Sequence, residues 1–185
     1  MRVSAYDPAH PEVRIREYRR ADAPAVGKLI ASTYAGFNLA EFSEEVRTAM
    51  LGPFANAASN DPEHRREITA VLGADILLVA EDGGEIIGVL RGRQGRLQSL
   101  FVSGGHHRRG IGTRLVERFE RRVRAGGGGV VKVAATLFAV PFYQEMGYRK
   151  TTGPRRLKSF QGDGLPFQPM QKMVSADAED GGRPD

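Results

Sequence analysis

The sequence has 185 residues, of which 41% are hydrophobic and 26% charged, and its net charge is +5. This length and composition predict a single globular domain, and the lack of cysteine excludes disulfides, thiolate metal ligands and a cysteine nucleophile. No apolar run approaches the roughly 18 residues that a membrane span needs, and the first twelve residues contain no apolar signal core, so we expect a cytoplasmic protein without membrane contact.

The charge is unevenly distributed along the chain. Residues 175–185 hold four acids and one arginine, which contribute −3 and leave +8 for residues 1–174. We therefore expect an N-terminal extension at residues 1–12, a domain at 13–174 and a disordered acidic tail at 175–185. A basic body is compatible with nucleic-acid binding, but the arginines concentrate around one loop and one helix. That concentration favours a small phosphate ligand and no nucleic acid.

The first half of the chain predicts a strand, three helices and a hairpin. In residues 13–18 apolar and polar side chains alternate weakly, as they do in a strand. Residues 21–34 carry the apolar face of a helix, and Asp22, a residue type that caps helices, lies at its start. A break at residues 35–41 separates this helix from the next ones. Two more helices, at 42–51 and 63–72, precede strands at 75–81 and 85–90, which flank a turn at 82–84, and a link at 91–96 follows.

The central strand leads into a glycine- and arginine-rich loop. Residues 97–102 hold four large apolar side chains with little alternation, which is typical of a strand covered on both faces. The loop SGGHHRRGIGT then opens a helix with apolar residues at Ile111, Leu115, Phe119 and Val123. The unpaired N–H groups of its first turn, together with Arg108 and Arg109, predict an anion site suited to phosphate. An ordinary turn beside a solvated basic face remains the alternative.

Two common phosphate motifs do not fit this loop. No Gly-x4-Gly-Lys-Ser/Thr occurs, which disfavours a P-loop. Gly110-x-Gly112 lacks a third glycine at Leu115, and no acid follows about twenty residues later, so a dinucleotide-binding turn is disfavoured as well.

The rest of the chain predicts a helix stop and more strands. Four glycines at 126–129 end the helix and a strand covers 130–135. A short helix at 142–146 stops at Gly147, and further strands begin at 148 and cover 169–174. The mixture of hairpins with one crossover predicts an α/β fold, with a mixed sheet flanked by helices and the central strand parallel to the next one.

Two segments resemble motifs of the GNAT superfamily of acyl-CoA-dependent N-acyltransferases. Residues 97–112 match its Leu-x-x-Leu-x-Val strand and Gln/Arg-x-x-Gly-x-Gly/Ala loop, with His107 in place of the usual Gln or Arg. Residues 139–148, AVPFYQEMGY, are similar to its Ala-x-x-Phe-Tyr-x-x-x-Gly-Phe segment. The resemblance covers roughly residues 13–174 and implies a mostly antiparallel sheet whose parallel strand pair splays apart around the pantetheine arm of acyl-CoA.

The resemblance implies transfer of an acetyl group from acetyl-CoA to the amine of an acceptor, either a small molecule or a protein. A catalytically silent acyl-CoA-binding regulatory module is the alternative, and a homodimer is an open option. The implied cofactor-binding residues are Leu100, Phe101 and Val102 along the pantetheine, and His107, Arg108, Arg109, Gly110, Ile111, Gly112 and Thr113 at the phosphates. No metal is expected.

The chemistry requires a deprotonated amine, a stabilised oxyanion and a protonated leaving thiolate. Without cysteine we predict direct attack in a ternary complex. A backbone N–H near Leu100, at a strand bulge that the family commonly has, would serve the oxyanion. Tyr143 is the candidate general acid. The alternative is that Tyr143 is an aromatic residue of the core with no catalytic role. The base stays open among Glu41, Glu44, Glu81 and water, and Tyr34, Phe37 and Phe42 are candidates for the acceptor pocket.

Overall fold

The computed structural model describes residues 13–159 and 162–174. Within these residues the chain forms one mixed eight-stranded sheet with helices on both faces. The predicted N-terminal extension and acidic tail lie outside the described residues.

Three α-helices follow the first strand, and three consecutive strands then lead into the central helix. The strands are β1 (Arg14–Glu17), β2 (Ile76–Asp82), β3 (Glu85–Arg93), β4 (Arg96–Val102), β5 (Val130–Thr136), β6 (Arg149–Lys150), β7 (Arg155–Ser159) and β8 (Gly162–Met173). The α-helices are α1 (Ala23–Thr33), α2 (Glu44–Leu51), α3 (Pro62–Leu72), α4 (Ile111–Ala125) and α5 (Val140–Glu145). A π-helix covers Tyr34–Asn38, and 3-10 turns cover Arg20–Asp22, Gly52–Asn56, Gly104–His106 and Leu137–Ala139.

The sheet order is β1-β2-β3-β4-β5-β8-β6, with β7 paired to β8. All pairs are antiparallel except β4 with β5. This confirms the predicted mixed sheet and its parallel pair across α4, because a parallel neighbour can be reached only by a crossover such as this helix.

The sheet separates two apolar cores. On one face, Leu78 and Leu97 pack with α4 and α5 residues. On the other face, Leu77 and Val89 pack with residues of α1, α2 and α3. Neighbouring residues of one strand thus enter different cores, which explains why the central strands are apolar with little alternation.

Helix α4 lies close to the sheet because β3 contains glycine where the helix crosses it. Phe119 belongs to the apolar stripe predicted from the sequence and is fully buried, and a Cβ on Gly92 would lie 2.4 Å from its ring. A Cβ on Gly88 would lie 3.1 Å from Leu115 Cδ1. These two glycines set the height of α4 above the sheet, and with it the position of the loop that precedes the helix.

Several local predictions were wrong. Residues 91–96 are not a link, because β3 and β4 continue into a tight turn at residues 94–95, where Gly95 has a φ of 74°. The break expected at 35–41 begins as the π-helix, and β6 has only two residues. Polar sequence hid β7, whose strand character depends on pairing with β8.

Asp22 does not cap α1 through its side chain. Its carboxylate instead accepts hydrogen bonds from Arg16 Nη1 at 2.7 Å, from Arg16 Nη2 at 3.0 Å and from the N–H of Arg19 at 2.7 Å. The hydrogen bonds from Arg16 lower the pKa of Asp22, and those to Asp22 and Glu81 raise the pKa of Arg16. The ion pair therefore joins β1 to the start of α1.

Candidate functional site

A gap opens between β4 and β5. The two strands pair only at Arg96 with Lys132 and at Leu97 with Val133. Beyond this point, residues 98–102 of β4 have no partner on β5. Leu97 is buried, whereas residues 99–102 are only partly buried. The strands therefore diverge toward their C-terminal ends, as the resemblance implied.

Unpaired backbone groups of β4 face this gap. The N–H of Ser103 donates to the carbonyl of Ile87 on β3 at 2.8 Å. Because hydrogen-bonded and non-hydrogen-bonded pairs alternate along an antiparallel ladder, Leu100 and Val102 direct their N–H and carbonyl groups away from β3, toward β5. An extended ligand chain in the gap can pair with these groups as a strand would.

The irregularity in β4 lies two residues earlier than expected. Arg91 is opposite Ser99, but the next residue of β3, Gly92, is opposite Leu97, so Gln98 is the extra residue. The predicted bulge near Leu100 was therefore misplaced. Its position follows from Gly92, where the close approach of the Phe119 ring excludes a side chain.

The loop after β4 ends in an exposed helix N-terminus. Gly110 has a φ of 71° and precedes α4 without a side-chain cap, and no acid occupies the first turn. The N–H of Arg114 is the first to return into the helix, to the carbonyl of Gly110 at 3.0 Å. The N–H groups of residues 111–113 consequently lack intrahelical partners and can bind an anion.

Two of the seven arginines of this loop and helix accompany those N–H groups. Arg108 and Arg109 are exposed and form no ion pair with a described residue. Arg114 is held elsewhere, because its Nη2 donates to the carbonyl of Val13 at 2.8 Å. Arg108 also has a φ of 62°, the left-handed region that L-residues rarely adopt.

His107 is exposed, and it ties the loop to β4 and to the π-helix. Its Nε2 lies 2.8 Å from the carbonyl oxygen of Val102, and its ring lies 4.7 Å from that of Phe37, with 35° between the planes. Phe37 belongs to the π-helix, a distortion that often occurs at functional sites. The π-helix therefore contacts both the loop and β4, since Tyr34 packs edge-on against Phe101 at 6.0 Å.

Helix α5 closes the other side of the gap. A Cβ on Gly112 would lie 3.4 Å from the ring of Phe142 and 3.8 Å from Leu100 Cδ2. The first turn of α4, the strand β4 and helix α5 thus meet at Gly112. Any larger side chain at this position would enter the mouth of the gap.

Tyr143 follows Phe142 on α5 and is 5% exposed. Its ring packs edge-on against Phe142 at 5.0 Å and against Tyr148 at 5.3 Å. Burial raises the pKa of Tyr143 above its ordinary value, so the phenol stays protonated throughout the neutral range. Tyr143 can therefore donate a proton or a hydrogen bond.

The three candidate carboxylates differ in availability. Glu81 is held by Arg16, whose Nε lies 2.7 Å from its Oε2. Glu41 and Glu44 are exposed near the junction of α1 and α2. Phe37 and Phe42 are exposed in the same region, at 48% and 40%. Glu41, Phe42 and Glu44 thus follow the π-helix, of which Phe37 is a part.

The sequence reasoning missed Arg91, because it assigned residues 91–96 to a link. The available signal was an arginine at the end of the apolar run IIGVL, where a charge inside a strand is unusual.

Among the described residues, no helix combines the length and apolarity that crossing a bilayer requires.

One known protein family matches most of the chain. The family described as acetyltransferase (GNAT) domain matches residues 40–174. An uncharacterized N-acetyltransferase, YjcF, from Bacillus subtilis (strain 168) is 30% identical over 99 residues, which are 51% of this chain and 68% of that protein.

Solved structures share the fold. A GCN5-related N-acetyltransferase from Rhodopseudomonas palustris superposes with a TM-score of 0.72 at 21% identity, over 88% of this chain and 96% of that chain. The PaiA N-acetyltransferase from Thermoplasma acidophilum, solved in complex with coenzyme A, superposes with a TM-score of 0.65 at 16% identity, over 87% and 98%.

Proposed function

Because the chain belongs to the GNAT acetyltransferase family, we propose that it transfers the acetyl group of acetyl-CoA to a primary amine by direct attack in a ternary complex. The observation that carries this proposal is the continuity of two features. The unpaired edge of β4 in the gap leads, through the loop at residues 103–110, to the N-terminus of α4, which has no side-chain cap. A long ligand with phosphates at one end and an extended arm matches that arrangement.

In this proposal the phosphates bind at the start of α4. The N–H groups of Gly110, Ile111, Gly112 and Thr113 donate to the pyrophosphate, and Arg108 and Arg109 neutralise charge. The positive end of the helix dipole adds to their attraction.

The pantetheine arm pairs along Leu100, Phe101 and Val102. Since His107 already occupies the carbonyl oxygen of Val102 at 2.8 Å, the groups left for the arm are the carbonyl of Leu100 and the N–H of Val102, and the N–H of Leu100 is left for the thioester. His107 then acts by holding the loop against β4, in place of the side-chain contact that Gln or Arg would make.

The reaction forms a bond from the amine nitrogen to the carbonyl carbon and breaks the bond from that carbon to sulfur. The N–H of Leu100 donates to the oxyanion of the tetrahedral intermediate. Tyr143 delivers its proton to the departing sulfur, so CoA leaves as a thiol. The proton lost by the amine passes to water or to Glu41 or Glu44, and Tyr143 regains a proton from solvent.

Calorimetric titration with acetyl-CoA, CoA and 3′-dephospho-CoA tests the binding part of the proposal. We expect all three to bind, with the weakest binding for the compound that lacks the 3′-phosphate. An amine screen that monitors thiol release then tests the transfer. Binding without thiol release for any amine would favour the silent regulatory module.

Gly112→Glu gives a sharper test of the binding site. The new side chain would start 3.4 Å from Phe142 and place a negative charge in the mouth of the gap, so acetyl-CoA binding should be abolished. Gly129→Glu is the matched control, because Gly129 lies beyond the opposite end of α4 and its Cβ would meet nothing within 4 Å. Binding retained by the Gly112 variant would refute the assignment of the gap.

A further inference from the structure

One row of the sheet carries an unusual set of polar side chains. The N–H of Tyr18 donates to the carbonyl of Leu77 at 2.9 Å, Leu77 is opposite Arg91, and Arg91 is opposite Ser99. Residues opposite each other on antiparallel strands point to the same face of the sheet. Leu77 packs in the core formed with α1 to α3, so this row faces those helices and not α4.

Three buried polar atoms of this row have no hydrogen-bond partner. They are Tyr18 Oη, Arg91 Nε and Ser99 Oγ, half of the six such atoms found among the described residues. Buried polar groups are nearly always paired, and exceptions often mark a site for a missing water, ion or ligand. Arg91 and Ser99 are directly opposite each other, so one ligand can serve both, whereas Leu77 separates Tyr18 from Arg91.

Arg91 is the member whose lack of a partner costs most. Two other basic side chains with little exposure each have a carboxylate: Arg16 lies 2.7 Å from Asp22, and Lys172 lies 2.7 Å from Glu120. Arg91 has no such contact within the described part of the chain, and burial alone lowers its pKa. A cation removed from water without a counter-charge is unfavourable. An anion from outside the chain would supply the missing partner.

The row lies next to the proposed reaction centre. Ser99 directly precedes Leu100, whose side chain packs on the α4 face. The helix N-terminus that binds phosphate belongs to α4, so the cofactor approaches from that side. The acceptor must then enter from the opposite face, where Arg91 and Ser99 project beside Phe101.

We propose that the acceptor amine carries a carboxylate, which Arg91 and Ser99 bind on the α1 face of the sheet. This inference rests on the proposed acetyl transfer to an amine. A carboxylate fits because a guanidinium offers two parallel N–H donors and its single positive charge balances a single negative one. The hydroxyl of Ser99 supplies a further donor on the neighbouring strand, about 5 Å away.

The test compares amino acids, from glycine to 6-aminohexanoate, with their carboxamides as acceptors, with rates expressed per concentration of free amine. For at least one amino acid, we expect kcat/KM to be about 10- to 100-fold higher than for the corresponding carboxamide. This is the size of effect that a hydrogen bond to a charged group has. Arg91→Gln should remove this preference, Arg91→Lys should retain part of it, and Ser99→Ala should reduce it several-fold. Arg93→Gln, an exposed arginine on the same strand, is the matched control and should keep it.

The affinity for acetyl-CoA is measured calorimetrically for every variant. It distinguishes failure of the carboxylate site from failure of the proposed acetyl transfer. If wild type binds acetyl-CoA but favours no acid, or if Arg91→Gln keeps the preference, the carboxylate proposal is overturned while the acetyltransferase assignment stands. If acetyl-CoA does not bind at all, the proposed function fails. The Arg91 site is then tested by thermal shift alone: stabilisation by an acid over its carboxamide, lost in Arg91→Gln, supports it, and equal shifts overturn it.

Discussion

Replacing Tyr143 with phenylalanine removes one hydroxyl and preserves the ring contacts with Phe142 and Tyr148, at 5.0 and 5.3 Å. Tyr143 is 5% exposed, so the new ring fits the existing packing without a large cavity. We expect the free energy of unfolding to change by no more than about 1 kcal/mol, the usual net contribution of one hydrogen-bonding group. The affinity for acetyl-CoA should also stay unchanged.

Turnover, in contrast, should fall strongly. Proton transfer by a positioned side chain typically contributes a factor of about 10² to 10⁴, which corresponds to roughly 2.7 to 5.4 kcal/mol of activation free energy. The assay is thiol release at saturating acetyl-CoA and acceptor. A loss of kcat in this range, with stability and cofactor affinity retained, supports Tyr143 as the acid.

The pH dependence gives a second readout. Burial raises the pKa of Tyr143 above its ordinary value near 10, so the acid remains protonated between about pH 6 and 9. Wild-type kcat should therefore show no alkaline loss from Tyr143 in that window. For stability, a raised phenol pKa gives a contribution that is complete below about pH 10 and is lost as the pH rises toward the folded-state pKa.

Tyr148→Phe is the matched control for Tyr143→Phe. Tyr148 is another buried phenol, 2% exposed, whose pKa is raised by burial and by the charge of Glu120. It packs against Tyr143 but lies three residues beyond the end of α5, at the last position of the motif, where no acid role is assigned. Unchanged kcat in Tyr143→Phe, or equal losses in both variants, would refute the acid role.

Three further substitutions probe the frame of the site. Gly92→Ala places a Cβ 2.4 Å from the Phe119 ring and should cost about 1–3 kcal/mol of stability, as overpacking does, measured by denaturant unfolding. Asp22→Asn breaks the ion pair with Arg16 and should cost about 1–3 kcal/mol at pH 7. Because the pKa of Asp22 is lowered, the stability from this ion pair is present at pH values above the ordinary aspartate pKa near 3.9 and is lost as the pH falls further. The Asn variant should therefore lack this loss of stability at acidic pH. Arg108→Gly removes the backbone strain of a φ of 62°, but it raises the entropy of the unfolded chain. Each effect is about 1 kcal/mol, so the two offset each other. Its melting temperature should hold while acetyl-CoA affinity falls in calorimetry.

Each of these has a control within the chain. Gly36→Ala meets nothing within 4 Å, so it should not destabilise the protein, and the lower chain entropy of alanine should add up to about 1 kcal/mol. Glu63→Gln breaks an exposed pair with Arg66 and should change stability by less than about 1 kcal/mol. Arg109→Gly removes the same charge as Arg108→Gly without relieving a positive φ, so it should lower the melting temperature. Identical melting temperatures for the two glycine variants would contradict the strain at Arg108.

Local sequence patterns predicted much of the fold. The stripe that includes Leu115 and Phe119 predicted α4, and it is buried as expected because a helix repeats every 3.6 residues whatever lies beneath it. Glycines at 110 and 112 marked the loop, since left-handed backbone and close approach both favour glycine. The crossover after β4 fixed the parallel pair, because no hairpin can join parallel strands.

Other features depended on contacts between distant residues. The bulge at Gln98 follows from the approach of Phe119 to Gly92, twenty-seven residues away in the chain, and no local pattern shows it. The strand β7 has four polar residues among five, and this segment becomes a strand only beside β8. Propensity is weak evidence for such segments, because cross-strand partners determine whether they pair.

The sequence alone determined the family, the loop that is suited to phosphate and the tyrosine offered as the acid, because each depends on residue types at short, fixed spacings. Only the tertiary structure placed Tyr18, Arg91 and Ser99 in one row with unpaired polar atoms. These residues belong to separate strands whose register is set by turns, bulges and the two cores. The candidate acceptor site therefore comes from strand pairing, which brings together residues that are more than eighty positions apart in the chain.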